Sequence, residues 1–288
     1  MVLRFRRHVI GDDGPLVMAI VNRTPDSFFD RGATFAEEAA RERVRQVVAE
    51  GADIVDIGGV RAGQDGPEVD AAEEKARVVD FVSWVRESYP ELVISVDTWR
   101  AEVAEAVCAA GADVINDAWG GWEPELVDVA AHYDAAIVCT HATGVAPRTD
   151  PVRPVYDDVV EHIKETVLAY ADRAVAAGVA KESVVVDPAH DFNKTTAHSL
   201  EATRRLGELV ETGWPVLVSL SNKDFVGETL DLPAGERLYG SLAAASVSAW
   251  LGARIFRVHQ VRETRQTVDM VWSIAGRRPP AVARRGLG

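Results

Sequence analysis

The sequence predicts an α/β chain folded as a (β/α)8 TIM barrel. Three observations carry the prediction. Eight short, β-branched apolar runs recur along the 288 residues, each run carries a polar residue at or near its end, and a helical pattern follows each. Continuous apolar runs suit parallel strands buried on both faces. In such a barrel the chemistry sits at the C-terminal ends of the strands. The length is close to the typical barrel's, about 250 residues. The rival architecture is an open doubly wound sheet, which needs a reversal of strand order; eight units suit a closed barrel better.

In chain order, LVMAIV ends at Asn22, DIVDIG carries Asp56, LVISV ends at Asp97 and ADVI at Asn116. AIVCT ends at His141, VVV at Asp187, PVLVSL at Ser221 and ARIFRV at His259. The first helix shows one face in Phe35, Ala39, Ala40, Val44, Val47 and Val48. The fifth shows one in Val155, Val159, Val160, Ile163, Val167 and Ala171. The remaining helices are expected over 71–88, 100–110, 123–132, 196–212, 235–251 and 261–275. An internal echo, EGADIVDI, AGADVIND and LGARIFRV, runs helix end, Gly, Ala, strand. Its glycine suits a left-handed helix stop.

No Pro/Ser-rich linker interrupts the rhythm, so one domain is expected over 1–276, with a frayed Pro/Gly/Arg-rich tail at 277–288. The net charge is −14, which argues against a nucleic-acid partner; an anionic ligand would need a locally basic pocket. Cys108 and Cys139 are expected as buried thiols of a reducing compartment. No stretch is apolar enough to span a membrane, and the basic start lacks the apolar core of a signal peptide. A cytoplasmic protein is expected.

Side chains two apart on a strand share a face. If His259 points into the barrel mouth, so does Arg257; if Asp97 does, so does Ser95. Arg257 and His259 form a candidate anion site, because barrels often bind phosphate after strands seven and eight. Ser221 and Lys223 follow the seventh run and add a second cation. A lone His or Arg there also serves as an ordinary hydrogen bonder, and the clustering is what points to function. Asp97, Asn116 and Asp187 suit a ligand with several N–H donors, or an acid and base for hydrolysis. Each also suits a helix N-cap. Zinc patterns, a dinucleotide fingerprint, a P-loop and a serine-hydrolase elbow are absent.

MAIVNRTPDSFFD resembles the first signature of dihydropteroate synthases. DIGG, SVDT, IND, DP with a following Phe and Lys, SNK, ERL-x-GSLAAA and RVH follow in that family's order, over about 16–275. The resemblance implies a barrel that joins a pterin carrying a methylene diphosphate to p-aminobenzoate and releases pyrophosphate, and a homodimer through late helices. It implies that Asp97, Asn116, Asp187 and Lys223 hold the pterin, with Asp97 and Lys223 catalytic. It implies diphosphate binding by Asn22, Arg257 and His259, with Asn22 also serving Mg²⁺, and a second-substrate role for Ser221. The roles are physically apt: a carboxylate accepts two hydrogen bonds from a guanidine-like edge, and Asp97 could stabilise a developing cation.

Four departures stand out. The family's G-G-E-S-T-R-P-G loop, part of its p-aminobenzoate pocket, is here GGVRAGQD. In the first loop a small Val is replaced by Arg23, and S-D-G-G by FDRG. After the sixth strand, three glycines become Ala189, Asp191 and Asn193, where glycine lets backbone approach a ligand closely. The Arg of S-R-K is Asn222, which removes a cation and a planar stacking surface. The expectation is a homologue that keeps the pterin and diphosphate residues, lacks the p-aminobenzoate loop, and is weak or inactive as a synthase. The alternatives are a working synthase and a related pterin-dependent methyltransferase. Arg23 and Arg61, cations on mouth loops, raise the expectation of a different anionic small molecule.

Overall fold

Each of the eight apolar runs is a strand. The computed structural model describes residues 2–24, 37–61, 68–144, 146–149 and 154–285. The barrel strands are β3 (Leu16–Asn22), β4 (Ile54–Gly58), β5 (Val93–Asp97), β6 (Val114–Asp117), β7 (Ala136–Thr140), β8 (Val184–Asp187), β9 (Leu217–Ser219) and β10 (Ile255–Val258). They are parallel, in the order β8-β7-β6-β5-β4-β3-β10-β9. A bridge between Val186 and Val216 closes the ring, with the Val186 N–H donating to Pro215 O at 2.9 Å. Sequential neighbours around a closed ring exclude the open-sheet rival.

Around the strands lie α1 (Glu37–Ala49), α2 (Ala71–Ser88), α3 (Ala101–Ala110), α4 (Leu126–His132), α5 (Val159–Ala176), α6 (Thr196–Arg204), α7 (Leu206–Val210), α8 (Asp224–Leu230), α9 (Leu238–Leu251) and α10 (Val261–Ile274). Their apolar stripes meet the outward strand residues, such as Val17, Val55, Ile94 and Ile115, in an outer core. Inward residues Met18, Ile54, Val93, Val114, Val185 and Ile255 form a second, inner core. Both thiols are buried and unpaired with each other.

Several boundaries differ from expectation. The fifth helix begins later than its apolar pattern suggests, because Asp158 caps it, accepting from Val160 N at 2.8 Å and Glu161 N at 3.0 Å. Val155 is therefore outside the helix and 85% exposed. The segment 196–212 is two helices broken at Arg205, whose guanidinium reaches Asp158, Glu201 and Glu208. α8 was not anticipated. Phe35, assigned to the first helix, lies outside the described residues.

An N-terminal hairpin, β1 (Leu3–Phe5) with β2 (His8–Ile10), is a further element beyond the expected pattern. Its tight turn places Arg6 at φ 53°. Leu3 and Phe5 enter the inner core and plug the N-terminal end of the barrel. The echo has a structural cause. Gly51, Gly111 and Gly252 are left-handed, with φ of 94°, 117° and 108°. Asp53 then accepts from Val17 N at 2.7 Å and Asp113 from Ile94 N at 2.9 Å, each tying down the preceding strand. In the third repeat this position is Arg254.

Candidate active site

Strand register gathers the mouth residues around one buried carboxylate. Asp56 pairs in register with Ser95, and Asp97 with Asn116. Asp56 is wholly buried. It accepts from Ser95 Oγ at 2.6 Å, Arg257 Nε at 2.6 Å and Asn116 Nδ2 at 3.2 Å. Arg257 uses its other edge, Nη2, to donate to Asp97 at 2.8 Å. Ser95, Asp97 and Arg257 thus share the interior face, as alternation predicts. Asp56 stands in the sequence as a polar residue of its strand with no expected role. The available signal was a carboxylate inside an apolar run, which cannot be buried without a partner.

Burial works against the Arg257 charge, yet Asp56 and Asp97 outweigh it and raise its pKa. Burial also pushes Asp97 up to about 7, with Arg257 opposing. Neither Asp97 nor Asn116 is a helix cap, since Arg100 and Glu125 occupy those positions before α3 and α4. Gly58 leaves a gap here: a Cβ on it would lie 3.5 Å from Asn22 Oδ1 and 3.9 Å from Asp97 Cβ. Among the described residues, no three His, Cys, Asp or Glu side chains gather in a way that could hold a metal. Asn22 offers one amide oxygen, which suits Mg²⁺ only where ligand phosphates and waters complete the shell.

On the other side of the mouth, Asp187 accepts from Ala189 N at 2.7 Å, so its oxygen does serve a local turn. Lys223 Nζ donates to His190 O at 2.9 Å and stands 4.3 Å over the Phe192 ring. Burial raises the Asp187 pKa and lowers that of Lys223. Ser221 Oγ lies 3.1 Å from His259 Nδ1 and donates to Gln260 at 2.9 Å. Ser221 and His259 therefore pair with each other, while Arg257 joins the Asp56 group. Asn222 donates weakly to Gln260 at 3.4 Å. Arg23 turns toward α2, lying 5.0 Å over Phe81 and donating to Arg77 O at 3.3 Å. The rewritten stretches FDRG and AGQD lie outside the described residues.

The three positions that replace family glycines keep a glycine-like backbone. Ala189, Asp191 and Asn193 have φ of 55°, 69° and 52°. Two of them fasten the loop. Asp191 accepts from Asp224 N at 2.6 Å and from Phe225 N at 3.3 Å, at the start of α8. Asn193 accepts from Thr143 Oγ1 at 3.0 Å, and its carbonyl takes the Tyr156 hydroxyl at 2.6 Å. Lys194 pins the same loop from beneath, donating to Ala189 O at 3.0 Å, Phe192 O at 3.1 Å and His141 Nδ1 at 2.8 Å. Burial holds His141 neutral, down to about 2, so that it can accept. Ala189 gains no such bond from its side chain. Ala189→Gly is expected to stabilise the fold by about 1 kcal/mol, the cost of a left-handed alanine; urea unfolding measures it, and a loss of stability would contradict the strained backbone.

The fold and the mouth define a barrel with carboxylates, amides and cations gathered at the C-terminal ends of its strands. The pterin binding enzyme model matches residues 18–259. The chain belongs to that family. The inactive dihydropteroate synthase 2 of Mycobacterium leprae is 56% identical over 282 residues, 96% of this chain and 97% of its own. The dihydropteroate synthase of Haemophilus influenzae is 35% identical over 258 residues, 90% of this chain and 93% of its own. The crystal structure of Yersinia pestis dihydropteroate synthase with a sulfonamide drug complex superposes with a TM-score of 0.90 at 34% identity, covering 96% of this chain and 99% of that one.

Proposed function

We propose that this protein binds a pterin diphosphate at the barrel mouth and has weak or no dihydropteroate synthase activity. The observation that carries the reading is the loop after β8. It holds the left-handed backbone of a glycine loop, but Asp191 and Asn193 tie it to α8 and to Thr143. A loop fastened in this way adapts less readily to a bound ligand, and the loop that would line the p-aminobenzoate pocket is rewritten as GGVRAGQD. The names of the mycobacterial relatives, inactive dihydropteroate synthase 2 at 55–56% identity, support it.

In this reading Asp97, Asn116, Asp187 and Lys223 contact the pterin, with Asp97 and Lys223 the groups nearest any residual chemistry. Asn22, Arg257 and His259 face the diphosphate, and Ser221 faces the position of a second substrate. Mg²⁺ would be held by Asn22 and the ligand's own phosphates, and would supply charge neutralisation there. The retained residues also favour a second reading, a working synthase.

One pterin-binding unit spans 1–276, with 277–288 as its tail. A homodimer fits the exposed apolar side chains of α9 and α10: Tyr239, Val247, Trp250, Met270 and Ile274. A cytoplasmic setting fits the two free thiols, and the −14 charge favours a small ligand over nucleic acid. Among the described residues no helix is long and apolar enough to cross a membrane. Calorimetry with pterin diphosphate and Mg²⁺ tests the binding half. Saturable binding is expected, weakened at least about tenfold in Asp187→Asn, which loses a charged hydrogen bond. No heat from the unaltered protein would remove the proposal.

A further inference from the structure

The echo that places Asp53 and Asp113 beneath their strands places Arg254 in the third repeat, and this exception opens onto a cavity. Arg254 precedes β10, whereas His259 follows it. Five residues at about 3.3 Å each put the two ends roughly 16 Å apart. The cavity therefore lies at the opposite end of the barrel from the mouth. It measures about 410 Å³ and is lined by Asp12, Val210, Trp214, Arg254, Trp272 and Arg277, among others. That volume lies in the range of small-molecule sites, about 300–1,000 Å³.

The lining has an uncommon chemistry for so acidic a chain. Two guanidiniums and one carboxylate line it; the carboxylate, Asp12, forms a loose ion pair with Arg254 Nη1 at 3.9 Å, and Asp13 and Asp53 also act on Arg254. Arg254 is only 6% exposed, and burial lowers its pKa. One arm donates to Gly11 O. Its Nε and Nη1, and the indole Nε1 of Trp272, have no hydrogen-bond partner among the described residues. Buried donors without acceptors are costly. Arg254 and Arg277 lie 5.2 Å and 5.7 Å from the Trp272 ring centroid, and Trp214 supplies a second indole.

We infer that this cavity is a second binding site, for a planar aromatic carboxylate of about two fused rings. The half-buried Trp214 offers flat apolar surface. The guanidiniums match a carboxylate in charge and in planar, forked geometry. Two guanidiniums in the lining favour a ligand that accepts. This site is independent of the pterin reading, because it shares no residue with the mouth.

The probe is 2-naphthoate, titrated into the whole protein and followed by tryptophan fluorescence and calorimetry. Saturable binding is expected. The exposed Arg277→Ala and the half-buried Trp214→Leu should each weaken it at least about tenfold, as removal of a charged hydrogen bond or a ring contact does. Circular dichroism melting should show both variants folded. The uncharged 2-naphthalenemethanol should bind at least about tenfold more weakly. Asp187→Asn, at the mouth, should leave naphthoate binding unchanged. No saturable binding at millimolar naphthoate, equal binding of the alcohol, or loss in Asp187→Asn with retention in Arg277→Ala would each overturn the assignment.

Discussion

Asp56→Ala is expected to destabilise the protein by about 3–5 kcal/mol, the usual cost of removing one partner of a buried ion pair. Asp56 is the hub of the mouth: wholly buried, it receives Ser95, Asn116 and one edge of Arg257. Its removal leaves the guanidinium with Asp97 alone, and leaves a buried hydroxyl and a buried amide without their acceptor. The same substitution at Asp97, whose side chain keeps 19% exposure, should cost less, about 1.5–3 kcal/mol for a charged hydrogen bond. Urea unfolding of both variants reads the difference, with unchanged slopes confirming that the comparison concerns stability. Equal costs, or a loss below about 1 kcal/mol for Asp56→Ala, would show that water or Asp97 replaces the hub.

The barrel was legible because its signal is local and repeated. A strand buried on both faces must be apolar throughout, so each of the eight runs announces itself, and Gly51, Gly111 and Gly252 mark helix stops by backbone conformation alone. The hairpin was not legible in the same way. Leu3 and Phe5 alternate with Arg4, but strands of three residues are too short to separate from a basic tail, and only the inner core they fill explains them. α8 was hidden because its start depends on Asp191, a residue from another loop.

The candidate site divides similarly. Alternation correctly put Arg257, Ser95 and Asp97 on one face. It could not say that Arg257 joins Asp56 while His259 joins Ser221, because that choice belongs to cross-strand geometry. Family glycines replaced by Ala189, Asp191 and Asn193 were visible in the chain. That two of those side chains would fasten the loop they occupy depends on the distant Thr143 and Asp224. Arg23 read as a mouth cation, but the Phe81 ring on α2 draws it to the outer layer.

The expected loss of synthase turnover is the larger effect. Joining two substrates depends on holding both in reacting geometry, which is worth about 7–11 kcal/mol of the barrier. The floor proposed for the first substrate keeps Asp97, Asn116, Asp187 and Lys223. The stretch that resembles the family's p-aminobenzoate loop is rewritten as GGVRAGQD, Asn222 replaces an arginine, and the loop after β8 is tied down. Losing even half of that positioning lowers the rate by about three orders of magnitude, at about 1.4 kcal/mol per factor of ten. The direct measurement is dihydropteroate formation from pterin diphosphate and p-aminobenzoate with Mg²⁺, using protein that binds the pterin diphosphate by calorimetry. Binding with turnover far below the ordinary enzyme range of about 1–1,000 per second is expected; turnover within that range would contradict the proposed function.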